Sequence, residues 1–425
     1  MQDLGALLRE LRLEHGIGLD RLAQLTGKSK GHLSRTERGE RPVNPALVLA
    51  YERALGVRLP SVHERLRFPD ATAGCGEDDD SLRRRDLLGS LVTISAGGDS
   101  LGALASTAIA AVSPPQPTRV GLPEVIEVEE ATQQITSWDL RHGGRLAVEQ
   151  GRSMLRWCVA LLDGTVAPSV RRRLVRATSY LADRTAWASY DSGQHELAIK
   201  LFKLALHLAT DARDPNLRAQ VLADMSNQQI FLRQPTAALT ITAVADDDKG
   251  TLPEMRASLE AVKAEAYGAL GNAQEVRNQI AKAEMAFAAT AHGERPSWMG
   301  AFRNEATLHE SAGNALYALA ITERKDGNVA IDRLRAAATA LPMSRTRARS
   351  TCRARLGVLH FSQPDGDLTR GIAAARQVVG TIDQVRSARL NRDLRALRMA
   401  MVPHQGDADV RELVHEIGGA IEPAG

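Results

Sequence analysis

Aromatic residues make up only 4% of the 425-residue chain. Sandwiches and barrels draw on Tyr, Phe and Trp in their strands, so this scarcity argues against a β-rich fold. Ala, Leu, Arg, Gln and Glu dominate instead. All are good helix formers, and a mostly helical protein is expected. Cysteine is also rare: Cys75, Cys158 and Cys352 are far apart and odd in number. That excludes a disulfide framework, and no CxxC or Cys/His cluster offers a structural zinc site. No apolar run reaches the roughly 18 residues that a transmembrane helix needs. The first residues are charged and amphipathic, unlike a secretory leader. Arg83-Arg84-Arg85, with the weakly apolar stretch to Ala111, imitates a twin-arginine signal. It sits behind a complete expected domain, so export is not expected. P-loop, HExxH and GxGxxG motifs are missing. The 11 histidines are scattered, and no catalytic residue, metal site or cofactor is expected.

Net charge is +3, too small for a uniformly basic coat, but it is unevenly spread. Met1–Phe68 holds 12 Lys and Arg against 8 Asp and Glu, and the remainder is close to neutral. That is the pattern of a small basic module on a neutral body. Composition breaks after Phe68. The acidic run Glu77-Asp78-Asp79-Asp80 precedes the arginine triplet, Gly97-Gly98 and Pro114-Pro115-Gln116-Pro117. This reads as a linker with helices in its middle, at Ser81–Val92 and Leu101–Val112. From Glu124 onward, helical patterns alternate with short Gly, Pro or Asp punctuation. The expected domains are therefore 1–68, a linker at 69–123 and a repeat region at 124–425.

In the first module, the stripe Leu4, Leu7, Leu8 and Leu11 predicts a helix over about Gln2–Leu13. Leu19, Leu22, Ala23 and Leu25 predict a short second helix, with a left-handed turn at Gly27 after it. Ser29 can cap a third helix running to about Glu37. Pro45 sits in the first turn of a fourth, Ala46–Leu55. Two helices joined through Gly27, in a bundle of four or five, make a helix-turn-helix. Its second helix enters the major groove with its first residues toward base edges. Donors crowd that position, and Arg and Lys suit guanine O6 and N7. The expected DNA-binding set is Lys28, Ser29, Lys30, Gly31, His32, Ser34, Arg35 and Arg38. A bundle that merely packs or dimerises is the alternative, and the basic third helix argues against it. The series Arg12, Gly16, Leu22, Ala23, Gly27, Ser29, Leu33, Ser34, Glu37, Gly39, Ala54 and Leu55 resembles the lambda-repressor-like (XRE) DNA-binding domain. The resemblance implies that Lys30, Gly31 and Arg35 read bases and that Arg12 pairs internally with Glu37. Gly18 and Leu19 stand where that family has a polar cap and a Gln against the DNA backbone. Affinity per half-site is expected to be reduced accordingly, and dimerisation to matter more.

The later region has a weak period. Segments at Gly193–Ala198, Arg233–Ala238 and Gly271–Val276 each close one helix and open the next, placing Ala198, Ala238 and Val276 40 and 38 residues apart. A helix–turn–helix unit at this period predicts a helical solenoid. Gly193, Ala198, Phe202 and Ala205, and again Ala264, Tyr267, Gly271 and Ala283, resemble the tetratricopeptide repeat (TPR). Matches beyond Pro342 are poor. Carrying the frame of Ala198 along the array puts Tyr180, Asp183, Trp187 and Tyr190 on the concave side. Gln220, Asn227, Ile230 and Phe231 follow, then Ser258, Glu265 and Gly268. The expected ligand groove is Asp183, Trp187, Tyr190, Asn227, Phe231 and Glu265. The Asn227 amide both donates and accepts, so it can pair with the backbone of an extended peptide. The aromatics offer apolar pockets beside it. Packing between repeats is the competing reading of Trp187 and Tyr190, and a bond to a neighbouring helix that of Asn227. Arg345, Arg349 and Arg353 share one face at i, i+4, i+8. They read either as a solvated face or as an anion or DNA contact.

The expected fold class is all-α: a helix-turn-helix bundle, a linker and a TPR-like α-solenoid. The pairing of modules, with 46 Arg against 8 Lys, is similar to repeat-containing regulators of high-GC bacteria. Some relatives of that architecture bind short peptides in the repeat groove. The resemblance implies a sequence-specific transcriptional regulator, acting as a homodimer through its repeats on a two-fold DNA operator. It also implies sensing of a peptide or small molecule, no membrane contact and a cytoplasmic, nucleoid-associated location. The alternative is a protein-interaction scaffold or anti-regulator in which DNA binding is secondary.

Overall fold

Apolar spacing and capping residues decide where the helices begin and end. The computed structural model describes residues 4–26, 28–39, 43, 47, 51, 54–55, 119–245, 249–290, 304–364 and 366–421. They fall into two units, one within Met1–Leu87 and one within Leu88–Gly425. The fold is all-α, and among the described residues the sole β feature is an isolated bridge between Val120 and Val166. The expected linker helices Ser81–Val92 and Leu101–Val112, the turn residue Gly27 and the start of the fourth helix at Ala46 lie outside the described residues.

In the first unit, helices α1 (Leu4–Glu14), α2 (Leu19–Thr26) and α3 (Lys30–Glu37) follow in order. Leu47, Tyr51, Ala54 and Leu55 are helical beyond them. Leu8, Leu22, Leu33, Leu47 and Tyr51 form a closed core, with Leu11, Leu19 and Ala23 packed against it. A Cβ at Gly5 would stand 2.1 Å from the Thr36 carbonyl oxygen. Helices α1 and α3 therefore meet backbone to backbone, and no larger residue fits there.

The second unit is a series of seven helical hairpins among the described residues. They are α4 (Leu122–His142) with α5 (Gly144–Asp163), α6 (Pro168–Asp191) with α7 (His195–Asp211) and α8 (Pro215–Phe231) with α9 (Pro235–Ala243). Next come α10 (Pro253–Ala269) with α11 (Ala273–Ala288), α12 (Glu305–Glu323) with α13 (Gly327–Ala340), α14 (Thr346–Ser362) with α15 (Leu368–Val379), and α16 (Ala388–Met401) with α17 (Ala408–Ala420). Proline opens four of these helices, at a position where its missing N–H has no partner to lose. Asp214 also caps one of these through its side chain, and Asn272, Asp367 and Ser387 cap others. Ala198, Ala238 and Val276 are all fully buried early in the second helix of their hairpins. Small residues bring the helices close. Ser179 Oγ donates to the Ala205 carbonyl at 2.7 Å, and a Cβ at Gly268 would lie 2.4 Å from the Ala315 carbonyl oxygen. Alanine-rich contact of this kind makes a core without many aromatic rings.

The array does not stay open. The first helices of the hairpins form an inner layer, and α14 returns to α4 and α6. Arg347 donates to Asp139 Oδ2 at 2.9 Å and to Asp191 Oδ2 at 2.6 Å. The Arg386 amide donates to the His142 carbonyl at 3.3 Å, and Ser387 Oγ to Asp191 Oδ1 at 2.6 Å. The expected concave groove is thus closed into a ring of inner helices by its own last repeats.

Candidate functional site

Helix α3 is amphipathic in a simple way. Leu33, Thr36 and Glu37 point into the bundle and are buried. Lys28, Ser29, Lys30, Gly31, Arg35 and Arg38 are exposed, and His32 and Ser34 are half-buried. Ser29 caps the helix, its Oγ accepting from the His32 amide at 3.2 Å. Lys30 Nζ sits 2.8 Å from Asp20 Oδ2, and both side chains are well exposed. Such a pair is weak in water and does not tie Lys30 down. Below this face, Arg12 clamps Glu37 with two bonds, Nε to Oε1 at 2.6 Å and Nη2 to Oε2 at 2.7 Å. Its Nη1 also reaches the Ile17 carbonyl at 2.9 Å, and Tyr51 donates to Glu37 Oε1 at 2.8 Å. The expected Arg12–Glu37 ion pair is present. The bond to Glu37 raises the Arg12 pKa, and burial raises that of Tyr51. Leu19 is half-buried against the core, so the apolar residue at that position serves packing.

The family model described as a helix-turn-helix domain matches residues 3–66. Residues 3–66 are a helix-turn-helix DNA-binding domain. No curated protein and no solved structure gives a significant match to the chain.

Apart from the helix-turn-helix domain, the second unit holds a cavity of about 190 Å³ at the centre of its ring of helices. All seven inner helices reach it, with Leu140 on α4, Trp187 on α6, Asn227 on α8, Glu265 on α10, Asn314 on α12, Arg355 on α14 and Arg392 on α16. Its wall is charged rather than apolar, and most of the charge is locally paired. Arg184 contacts Asp183 and Asp224, and Gln220 Nε2 donates to Asp224 at 2.7 Å. Arg355 Nε is 3.2 Å from Asp393 Oδ1, and Arg345 is 3.7 Å from Glu310. Burial alone would push the Asp191 carboxyl up. Arg347 and Arg389 outweigh it, and the carboxyl lies below the usual range. Glu265 goes the other way: burial pushes it up, only partly opposed by Arg355 and Arg392. One side is aromatic. Tyr190 meets Trp187 and Phe231 edge-on at 5.4 and 5.3 Å. Arg389 lies over Trp187 at 4.4 Å and Arg392 over Phe231 at 4.2 Å.

Five of the six expected groove residues, Trp187, Tyr190, Asn227, Phe231 and Glu265, line this cavity. Asp183 does not: it is fully buried and accepts from Arg184, which takes the place at the wall. Gly268 is used for the contact with α12. Asn304 caps α12 beside the cavity residue Thr307. The Arg345–Arg355 segment is neither a solvated face nor one basic stripe. Arg345, Arg347 and Arg355 turn to the cavity, while Arg349 donates to the Leu341 carbonyl at 2.6 Å. Arg184, Glu310, Asn314, Arg389 and Arg392 were not foreseen. On α14 the spacing Arg347, Thr351, Arg355 marks one face, yet the repeat frame fades after Pro342 and gives no reason to turn that face inward. Among the described residues, no His, Cys, Asp and Glu group is arranged for a metal ion, and no helix is long and apolar enough to cross a membrane.

Proposed function

We propose that the chain is a sequence-specific DNA-binding transcriptional regulator of the XRE type, with its domains at 1–68, 69–123 and 124–425. Supporting this is the basic, exposed face of α3 above a buried Arg12–Glu37–Tyr51 lock. Lys28, Ser29, Lys30, Gly31, His32, Ser34, Arg35 and Arg38 are its DNA contacts, with Lys30 and Arg35 on base edges. The protein acts as a homodimer through TPR-like repeats, on half-sites about one helical turn, or a multiple, apart. The repeat cavity takes a ligand, and occupancy changes the curvature of the array and so the separation of the two DNA-binding heads.

Genome-wide occupancy of the tagged protein, beside a Lys30→Ala/Arg35→Ala variant, tests the DNA reading. Discrete peaks sharing an inverted repeat are expected. Each lost base contact weakens operator binding by ~1–3 kcal/mol, so the variant's peaks should vanish. Background occupancy for both proteins would overturn the regulator in favour of a protein-interaction scaffold.

A further inference from the structure

The arginines of the cavity wall are not equivalent. Arg184, Arg347 and Arg355 hydrogen-bond carboxylates on neighbouring helices, and Arg345 stands 3.7 Å from Glu310. Two others, both on α16, keep binding capacity in hand. Arg389 spends Nε on Asp191 at 2.7 Å, but its Nη2 is buried and makes no hydrogen bond. Arg392 donates to the Phe231 carbonyl at 3.3 Å, and no carboxylate oxygen stands within ion-pair distance of it among the described residues. The same cavity holds unspent acceptors. Glu265 stands 4.0 Å from Arg355 Nη1, beyond hydrogen-bond distance. Asn314 Oδ1 is buried with no partner.

Arg389 Nη2 and Asn314 Oδ1 are buried without a hydrogen bond, while Arg392 and Glu265 are half-buried at the cavity wall; a ligand that pairs with them satisfies groups the protein leaves open. An anion would relieve Arg389 and Arg392 but leave Glu265 and Asn314 as they are. A cation would do the reverse. A molecule bearing both a carboxylate and an ammonium relieves both sets. Size narrows the choice. A cavity of roughly 150 Å³ takes a benzene ring, and drug-sized ligands occupy roughly 300–1,000 Å³. The 190 Å³ space therefore suits on the order of ten heavy atoms. An extended peptide is too large, and the contacts of Arg347 and Arg386 close the groove it would need. We propose that the central cavity binds a compact zwitterion, an α-amino carboxylate of free amino acid or dipeptide size. Its carboxylate lies on Arg389 and Arg392, and its ammonium on Glu265 and Asn314. This deepens the sensing reading above and rests on it.

The test uses purified, dialysed full-length protein, thermal melts and titration calorimetry. The probes are the common free amino acids and a set of dipeptides, which separates the two sources of the same chemistry. At least one should raise the melting temperature and bind one per chain. Its C-terminal amide and its N-acetyl derivative should each bind at least tenfold more weakly. Arg392→Gln should weaken the parent at least tenfold, and Arg392→Lys should recover part of the loss. Glu265→Gln should weaken the parent but not the N-acetyl derivative, which has no ammonium left to lose. The amide and N-acetyl comparisons need no variant, so they decide the matter even if a substitution unfolds the protein. No response to any amino acid or dipeptide at millimolar concentration overturns the proposal. So does equal binding of the amide, or binding confined to peptides of five or more residues. An amino carboxylate that binds as described but leaves operator affinity unchanged upholds the site and overturns the sensing reading instead.

Discussion

Glu37 accepts from both Arg12 and Tyr51 inside the helix-turn-helix core. Its value lies less in net attraction than in what its removal leaves behind. A buried guanidinium and a buried phenol would each lose a partner, and breaking a buried pair from one side costs ~3–5 kcal/mol. Glu37→Ala should therefore unfold the DNA-binding unit at much lower denaturant and abolish operator binding. Hydrogen exchange resolved to the Leu33 and Thr36 amides would read it directly, and unchanged protection there would show that the lock is dispensable. Arg12 and Glu37 are 25 positions apart, and their pairing was legible because both residues fall on a known pattern. Arg184 shows the opposite case. The side chain at the cavity wall is the arginine, while the preceding aspartate lies beneath it. A helical frame one residue off cannot tell which of two adjacent charges faces inward.

At the scale of elements, three of the hairpin turns share one requirement. The turns at Gly193, Arg233 and Gly271 all adopt left-handed backbone, with φ of 81°, 60° and 74°. A side chain is strained in that region by ~1–2 kcal/mol. Arg233 is exposed, so little opposes the exchange. Arg233→Gly should stabilise the repeat unit by ~0.5–1 kcal/mol, since the added freedom of glycine in the unfolded chain takes back part of the gain. Urea unfolding with unchanged slope and a higher midpoint would support this, and an unchanged or lower midpoint would refute it. The same turns were readable in the sequence because Gly, Pro and Asn punctuate them. Helix α3 was readable for a similar reason: Ser29 caps it, and the apolar and basic residues alternate at helical spacing. Helices α14 and α16 were not. Their inward faces are built from Arg347, Thr351, Arg355, Arg389 and Arg392, and arginine on a helix ordinarily means a solvated face.

The ring as a whole is fastened at Asp191. That one carboxylate accepts from Arg347, Ser387 and Arg389, joining α6 to both α14 and the start of α16. Asp191→Asn removes the charge and keeps the shape. It should destabilise the repeat unit by ~3–5 kcal/mol, because Arg389 is left without its carboxylate. The linkage with pH has a definite sign. The folded carboxyl titrates below its ordinary value of 3.8. Its contribution is therefore complete above that value and is lost as pH falls toward the depressed folded one. Other carboxylates titrate in the same range, so the informative quantity is the difference between wild type and Asp191→Asn. That difference in urea midpoint should be constant at neutral pH and shrink as pH drops below about 4. A difference independent of pH would mean that Asp191 acts through packing alone.

By itself, the sequence determined the helical class, the helix-turn-helix with its capped and basic third helix, the hairpin period near Ala198, Ala238 and Val276, and most of the aromatic side of the cavity. These are local properties. They follow from spacing along one helix and from the few residues able to start or stop it. Closure of the array and the charged half of the cavity were decided only by tertiary structure. Arg347 meets Asp139 across 208 positions and Asp191 across 156. Whether an arginine is a surface charge or a buried strut depends on which carboxylate lies across the ring, and that partner is set by the accumulated curvature of seven stacked hairpins rather than by any pattern near the arginine itself.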